Sequence, residues 1–418
     1  MIHKYKYDLI NYIIVLIEFK VGNFLSFKDI QTLRMSPVIE TDKPGTSYGK
    51  ISDMMLIYGP NGSGKSNLVK AMAFSRDIVL YGVSDVSVGS YKRGGGSSYF
   101  EYVLELDGRM YSYGFDLDIG ARGELSLVDE WLYLLTPDND TAIFEYEGCK
   151  TDSRLCRTQL SQSVSTNPEC DRIVEWFRSS LFIETSRPFD VVRPVSSGFI
   201  QELGKGLRST DTGITDAVEL PFDKSEIPRN LIKRAIGSTM LYKPGDYLAL
   251  VIGNAHKRYW MIHINIDSDH VMCCTEIRLK HESGHISTME DESLGTLRII
   301  QVLSLLSGMK KDGGVCRTAI IDEIECSMHT LVARELLKLF NELSVGQLIC
   351  TTHKVDLLRA SFIGKDNVSF IDWNQDEDGG ASTKLYTLRS FEQDINDICG
   401  AYLDGRMSAI PLFPHEEE

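Results

Sequence analysis

The chain has 418 residues, 43% hydrophobic and 25% charged, which is typical of a globular protein with about two to three domains' worth of sequence. Its formal net charge of −15 argues against a protein that binds nucleic acid over its whole surface, so any such contact would be indirect or need a local basic patch. The nine cysteines form no CxxC pair, and no apolar run reaches the roughly 18 residues of a membrane helix, which favours a cytoplasmic protein without a membrane partner.

The N-terminal part of the chain predicts two strands, a glycine-rich loop and a helix. Residues 15–21 alternate between apolar and polar side chains, and residues 30–35 resemble a second strand after a turn at 23–27. Residues 54–58 predict a buried strand that leads directly into the glycine-rich loop, and residues 67–80 predict the helix that follows. Residues 1–14 are interpreted as a possible non-native extension.

The middle of the chain predicts antiparallel structure. Its strongest alternation gives a β-meander with strands at residues 99–106, 110–119 and 128–135. Residues 150–250 are mixed, with helices near 168–181 and 226–238. A further hairpin is predicted over residues 256–280, turning at 267–269.

From residue 291 onward the pattern becomes α/β. Helices are predicted at residues 294–306 and 328–343, and strands at 316–321, 347–351 and, as the last strand, 368–372. The predicted fold class is therefore α/β, with a mixed sheet, an antiparallel β-meander and a mixed helical and β insert. The predicted domains are an N-terminal lobe (15–150), an insert or lid (151–284) and a C-terminal lobe (285–411).

Residues 59–66, GPNGSGKS, match the phosphate-binding pattern GxxxxGK[ST] at every fixed position. The glycines allow backbone conformations that point N–H groups at phosphates, and the following helix adds the positive end of its dipole. We expect Lys65 to contact the β- and γ-phosphates of ATP and Ser66 to bind Mg²⁺. The remaining residues of the predicted ATP site are Gly59, Asn61, Gly62, Ser63, Gly64 and Asn67.

Two adjacent acids follow the apolar strand that is predicted at residues 316–321. Asp322 is predicted to hold the Mg²⁺, directly or through water, and Glu323 to polarise the attacking water. Alone, such a pair is equally consistent with a strand-to-turn boundary. The P-loop earlier in the chain favours the catalytic interpretation.

The sequence after these acids, IECSMH, and the later strand that ends at His353 resemble ABC-type ATPases of the SMC and RecF kind. The resemblance implies an ABC-type ATPase head in which His353 contacts the γ-phosphate. It also implies that residues 292–296, ESLGT, are a degenerate signature segment, with Ser293 and Gly295 facing the ATP of a second subunit. The active form would then be a homo-oligomer with ATP sandwiched between subunits. A plain helix cap is the alternative for Ser293, and the glutamine that usually completes such sites is not identifiable.

A narrower resemblance rests on segments spread along the chain: 16–19, 23–27, the P-loop, 211–214, 292–296, 322–329, 402–406 and 409–411. With these segments the chain, over about residues 15–411, resembles bacterial AAA-labelled, ABC-like ATPases of the RloA and AbiLi type. The resemblance implies an ATPase of an anti-phage, abortive-infection-like system that responds to a phage trigger and controls a separate effector protein, a nuclease or a toxin. The alternative function is a RecF- or SMC-like DNA-maintenance ATPase that binds DNA directly.

Residues 281–285, HESGH, match the zinc-protease pattern HExxH literally. Zinc binding by this pattern needs both histidines on one face of a helix. The Ser-Gly pair inside the segment predicts a turn instead, so a zinc protease is disfavoured.

Overall fold

The structure is a computed structural model that divides into two compact units. The first, here called the P-loop unit, comprises Ile13–Thr185, Cys316–Ile324 and Gly346–Glu418. The second unit comprises Met1–Tyr12, Ser186–Val315 and Glu325–Val345. The predicted three-part division of the chain stays a prediction. The structure describes residues 14–36, 50–83, 96–119, 125–147, 158–164, 166–185, 191–239, 246–253, 257–265, 270–309, 317–343, 346–375, 381–388 and 397–407.

Strands and helices alternate irregularly along the described residues. The strands are β1 (Ile14–Gly22), β2 (Gln31–Arg34), β3 (Met54–Tyr58), β4 (Ser98–Leu106), β5 (Arg109–Ile119), β6 (Leu125–Leu135), β7 (Thr141–Glu147), β8 (Leu181–Glu184), β9 (Val191–Pro194), β10 (Ile214–Pro221), β11 (Asp246–Gly253), β12 (Arg258–Asn265), β13 (His270–His281), β14 (Ile286–Ser287), β15 (Arg317–Ile321), β16 (Gly346–Thr351), β17 (Val368–Gln375) and β18 (Ala381–Thr387). The helices are α1 (Lys65–Tyr81), α2 (Gln159–Gln162), α3 (Pro168–Glu175), α4 (Phe199–Arg208), α5 (Arg229–Thr239), α6 (Leu294–Met309), α7 (Thr330–Leu343) and α8 (Ile398–Leu403). No described helix combines the length and hydropathy needed to cross a bilayer.

The P-loop unit is organised around a mixed sheet with the strand order β18-β17-β3-β16-β15-β8. Neighbours from β17 to β8 run parallel, and β18 pairs antiparallel with β17. Every residue of β3 and β15 is buried, as expected for parallel strands covered on both faces. Because β16 lies between β3 and β15, the carboxyl ends of these three strands meet at one edge of the sheet.

A second, antiparallel sheet of the P-loop unit contains the predicted meander. Its strand order is β2-β1-β4-β5-β6-β7, so the three predicted meander strands are confirmed and β7 extends them. The side chain of Gln347, on β16 of the mixed sheet, accepts from the N–H of Leu16 and donates to its carbonyl, both at 2.8 Å. This buried amide ties the two sheets together at a bulge in β1.

Aromatic side chains pack the antiparallel sheet against α1 and the segment that follows α3. Phe74 of α1 lies 5.7 Å from Phe100 of β4, measured between ring centroids. On the same strand, the Tyr102 hydroxyl lies 2.7 Å from Ser75 Oγ, and its ring is 4.9 Å from that of Phe177. The tyrosine therefore buries its ring while its polar end keeps a hydrogen-bond partner.

The second unit contains a sheet of order β10-β13-β12-β11-β9, with β14 paired to β13. Its apolar core joins β11, β12 and β13 to α5 and the residue Ile227 before that helix. The core residues are Ile227, Leu231, Ala235, Ala249, Val251, Trp260, Ile262, Ile264, Val271 and Cys274. The pairing of β12 with β13 confirms the predicted hairpin, although its predicted turn at 267–269 lies outside the described residues.

The predicted α/β fold class is confirmed, with two corrections to its elements. The strand predicted to end the fold at 368–372 is longer, and β18 follows it as one more strand. The polar residues of β18 conceal the alternation of apolar and polar side chains by which a strand is recognised. Helix α1 begins at Lys65 rather than at residue 67, because Gly64 (φ +113°) is its N-cap. Most of the predicted N-terminal extension lies outside the described residues.

A buried carboxyl group in β6 makes stability depend on pH. Glu130 is 1% exposed, and burial raises its pKa to about 7 although the N–H groups of Gln159 and Leu160 and the Tyr113 hydroxyl donate to it. The folded protein therefore binds this proton more tightly than the unfolded chain, whose carboxyl has a pKa near 4.5. The resulting stabilisation is complete below about pH 4.5 and is lost as the pH rises through about 7.

We expect Glu130→Gln to flatten this loss of stability, because the amide cannot ionise. The measurement is the melting temperature of both proteins between about pH 5 and about pH 8, where the wild-type value should fall further than that of the variant. Glu147→Gln, at an exposed position of the edge strand β7, is the control, and its melting temperature should fall with pH as much as that of the wild type. If the melting temperature of Glu130→Gln also fell with pH as much as that of the wild type, the expected role of Glu130 would be contradicted.

Candidate nucleotide site

The P-loop occupies the turn between β3 and α1, and close packing explains its glycines. A Cβ atom at Gly59 would lie 2.1 Å from the carbonyl oxygen of Ile371 on β17, which no side chain can accommodate. Gly62 and Gly64 have φ angles of +78° and +113°, in the region that favours glycine. The loop is therefore specified by its contact with β17 as well as by its own backbone.

Lys65 is the first residue of α1, and its ammonium group lies in the P-loop itself. Its Nζ donates to the carbonyl oxygens of Gly59 at 2.7 Å and Pro60 at 2.8 Å, and the residue is only 5% exposed. Phosphate oxygens are charged and stronger acceptors than these neutral carbonyls. The N–H groups of the first turn, including that of Ser66, lie at the positive end of the α1 dipole.

A chain of side-chain hydrogen bonds supports the outer side of the loop. Asn67 Nδ2 donates to Ser26 Oγ at 2.8 Å, and Thr383 Oγ1 lies 2.7 Å from Ser26 Oγ and 2.8 Å from the Ser63 carbonyl oxygen. A hydroxyl has one proton and a carbonyl can only accept, so Thr383 donates to Ser63 and Ser26 donates to Thr383. We call Asn67, Ser26 and Thr383 the backing chain. It turns the Asn67 amide, predicted to contact ATP, toward Ser26.

Trp373 holds the neighbouring peptide of the loop. Its indole N–H donates to the carbonyl oxygen of Gly62, and Trp373 pairs directly with Thr383 across β17 and β18. Two consecutive P-loop carbonyls are thus bound by one cross-strand pair of the C-terminal hairpin. A loop whose carbonyls are fixed on one side presents its N–H groups on the other, where phosphates would bind.

We expect Thr383→Val to weaken ATP binding about 2- to 10-fold, because the loop loses a buried hydrogen bond of about 0.5–1.5 kcal/mol. Thr387→Val, at the other end of β18, is the matched control and should bind ATP as the wild type does. Fluorescence titration with an ATP analogue measures both. Equal affinities for the two variants would show that the backing chain does not organise the loop.

The two acids lie directly after β15, one strand away from β3. The carboxylate of Asp322 is 4% exposed, and its Oδ1 accepts from Thr351 Oγ1 at 2.7 Å. Its backbone N–H donates to the carbonyl oxygen of Glu184 on β8 at 2.8 Å. Glu323 is half-buried with φ +50°, a left-handed conformation that costs a non-glycine residue about 1–3 kcal/mol and is frequent at active sites.

His353 follows β16, the strand between β3 and β15, and is half-buried. Lys354 follows His353 in the chain, and its carbonyl oxygen accepts from the hydroxyl of Tyr58, the last residue of β3, at 3.3 Å. The strand order therefore brings the P-loop, the acids and His353 to the same edge of one sheet. The roles of these residues in binding and hydrolysing ATP stay predictions.

The predicted signature residues lie in the second unit, at the N-terminus of α6. Ser293 Oγ accepts from the N–H of Thr296 at 3.0 Å, so Ser293 caps the N-terminus of α6. A Cβ atom at Gly295 would lie 2.5 Å from the Ser327 carbonyl oxygen, which explains the glycine by close packing. Leu294 between them is 65% exposed. A contact with a second subunit stays a prediction.

The HESGH segment forms the end of β13 and the turn to β14, as predicted, and is not helical. His281 Nε2 lies 2.9 Å from both Ser287 Oγ and Glu292 Oε1, so its ring joins these elements of the second unit.

The residues near the P-loop fit Mg²⁺ chemically. Carboxylate and hydroxyl oxygens are the hard ligands that this ion prefers. Asp322 offers a buried carboxylate after β15, and Ser66 offers a half-buried hydroxyl in the first turn of α1 at the same sheet edge. These two residues would hold the ion.

Sequence reasoning missed the residues that form hydrogen bonds to the P-loop and to the acids. Thr351, Trp373 and Thr383 belong to no pattern, and only the strand order brings them to the loop or the acids. Ser26 lies within the NFLSF segment, whose predicted turn is confirmed by paired hydrogen bonds between Phe24 and Phe27, both at 2.9 Å.

Comparison with known proteins gives one family and several solved structures of limited similarity. A family model described as "AAA domain, putative AbiEii toxin, Type IV TA system" matches residues 54–359. No curated protein sequence matches the chain. One similar solved structure is the SMC head domain from Thermotoga maritima, with 14% sequence identity and a TM-score of 0.40 over 89% of this chain and 98% of that chain. A second is the SmcHead bound to the C-winged helix domain of ScpA, with 12% identity and a TM-score of 0.44 over 90% of this chain and 98% of that chain. A third is an Smc head domain with an extended coiled coil bound to the C-terminal domain of ScpA derived from Pyrococcus furiosus, with 13% identity and a TM-score of 0.41 over 90% of this chain and 98% of that chain.

Proposed function

The chain belongs to the AAA-domain family whose model it matches, and from this premise we propose that it binds ATP with Mg²⁺, hydrolyses it and thereby controls a separate effector protein. One observation carries the ATPase proposal. The P-loop, the Asp322–Glu323 pair and His353 follow three neighbouring parallel strands of the mixed sheet, so these residues share an edge where a nucleotide would bind. A chance GxxxxGK[ST] match would not bring acids and a histidine to that edge.

Each of these residues has a role in the proposed reaction, an in-line attack of water on the γ-phosphate. Lys65 and the N–H groups of the P-loop bind the phosphates, and Lys65 offsets negative charge in the transition state. Glu323 orients the attacking water and accepts its proton, and His353 contacts the γ-phosphate. Mg²⁺, when bound by Ser66 and Asp322, would neutralise charge on the phosphate oxygens.

The proposed biological role is anti-phage defence of the abortive-infection kind. Two observations support it: the family description names a toxin of a type IV toxin–antitoxin system, and segments along the chain resemble the RloA and AbiLi type of ATPase. ATP would close a homo-oligomer through Ser293 and Gly295 of a second copy, and hydrolysis would reopen it. A phage trigger would act on this cycle, and a nuclease or toxin would be the effector.

Three measurements on the purified wild-type chain test the proposal. We expect Mg²⁺-dependent phosphate release, a larger particle by light scattering with ATP than with ADP, and co-purification of the protein encoded beside it. Absence of phosphate release at any Mg²⁺ concentration would overturn the ATPase proposal. A co-purifying permease, or a salt-sensitive affinity for DNA by the chain alone, would replace the defence role with a transport or DNA-maintenance role.

A further inference from the structure

We propose that Thr351 is a positioning residue that fixes both acids of the hydrolysis site with a single hydroxyl group. The inference rests on the proposed ATPase function and assigns to that site a residue outside its sequence motifs. Thr351 is the last residue of β16 and is fully buried.

The hydroxyl group contacts both acids at hydrogen-bond distance. Thr351 Oγ1 accepts from the backbone N–H of Glu323 at 2.7 Å and donates to Asp322 Oδ1 at 2.7 Å. Because an N–H can only donate, the hydroxyl proton is left for the carboxylate, and the direction of both bonds is determined. A bond to a charged carboxylate in a buried place is among the stronger hydrogen bonds of proteins.

The same residue also holds the unusual backbone of the turn. Glu323 has φ +50°, which L-amino acids adopt rarely, and its N–H is the group that Thr351 Oγ1 accepts. The carbonyl oxygen of Thr351 accepts from the N–H of Ile324 at 3.1 Å. Three consecutive residues, 322 to 324, are therefore bound by one threonine, which fixes the carboxylate of the first and the backbone of the other two.

The position of β16 gives this threonine access to the rest of the site. Thr351 pairs with Ile57 on the P-loop strand β3, and the N–H of Thr352 donates to the Ile57 carbonyl oxygen at 3.0 Å. His353 follows two residues after Thr351. One short segment thus connects the acidic turn, the P-loop strand and the histidine, so the placement of the acids relative to the P-loop depends on it.

Thr351→Val tests the inference because valine keeps the buried shape and removes the hydroxyl. We expect kcat to fall roughly 10- to 100-fold, as is typical when a partner of a metal-binding carboxylate is removed. We also expect a higher Mg²⁺ concentration for half-maximal activity, with an unchanged ATP affinity in EDTA. Thr351→Ser, which restores the hydroxyl, should recover most of the rate and the wild-type Mg²⁺ dependence.

Thr318→Val is the matched control. Thr318 is a fully buried threonine of the same sheet whose Oγ1 donates to Gln347 Oε1 at 3.2 Å, and it lies near the other end of β15. It should leave kcat and the Mg²⁺ dependence unchanged, whatever its effect on melting temperature. If Thr351→Val does not fold, Thr351→Ala, a second variant without the hydroxyl, is measured in its place.

The outcomes separate this inference from the function on which it rests. A wild-type protein that hydrolyses ATP, with hydroxyl-free variants within about twofold of its kcat and Mg²⁺ dependence, would overturn the role of Thr351 alone, since the expected loss is at least tenfold. A wild-type protein without hydrolysis would overturn the ATPase proposal. In that case, the Mg²⁺ dependence of ATP binding still tests Thr351, and an identical dependence in Thr351→Val would refute its role.

Discussion

Lys65→Ala should abolish ATP binding at concentrations that saturate the wild type. The variant removes an ammonium group able to form two charge-assisted hydrogen bonds to phosphate, each contributing about 1.5–3 kcal/mol. Together they correspond to an affinity lower by roughly 10²- to 10⁴-fold. The loop would also lose the bonds from Nζ to the carbonyls of Gly59 and Pro60, which brace it in the structure. Titration calorimetry with ATP and Mg²⁺ measures the effect.

The control for this variant lies on the same helix. Lys70 is an exposed lysine of α1, and Lys70→Ala should bind ATP with wild-type affinity. Melting temperatures of both variants distinguish a damaged loop from a damaged fold. If Lys65→Ala bound ATP as tightly as the wild type, the P-loop assignment itself would be wrong.

Glu323→Gln should stop hydrolysis while ATP stays bound. Glutamine has the shape of glutamate but cannot accept the proton of the attacking water, and loss of a general base lowers rates about 10²- to 10⁴-fold. The variant keeps the backbone N–H that Thr351 accepts, so the acidic turn should retain its conformation. If ATP closes an oligomer, the variant should accumulate as that oligomer in ATP.

Single-turnover phosphate release and light scattering in ATP and ADP measure the two effects. Glu335→Gln, an exposed position on α7, is the control and should match the wild type in both. Undiminished phosphate release by Glu323→Gln would remove Glu323 as the base and leave the water to another group. Loss of hydrolysis without a larger particle would retain the base but argue against ATP-driven oligomerisation.

These variants separate parts of the site that sequence motifs treat as one. Lys65 tests whether the nucleotide binds, Glu323 whether it reacts, and Thr383 whether the loop depends on the hairpin behind it. Thr351 tests whether the acids depend on the strand between them and the P-loop. If only the result expected for Glu323→Gln were not obtained, the chain would still be a nucleotide-binding protein.

The amino-acid sequence by itself determined where the motifs of the candidate site lie and most of the elements that carry them. The P-loop could be recognised because its glycines, lysine and serine are adjacent in the chain, and the acids because they end an apolar strand. The meander could be recognised because alternation with period two is a local property. Such signals need no knowledge of which strands become neighbours.

Only the tertiary structure decided what surrounds those residues. Ser26 and Thr383 are 357 positions apart, and Thr351 is 28 positions from Glu323, so their hydrogen bonds exist only through the order of strands in the sheet. The sequence could propose Asn67 as an ATP contact, but the fold turns its amide toward Ser26. Local patterns identify the candidate reactive groups, whereas the non-local pairing of strands decides which groups hold them in place.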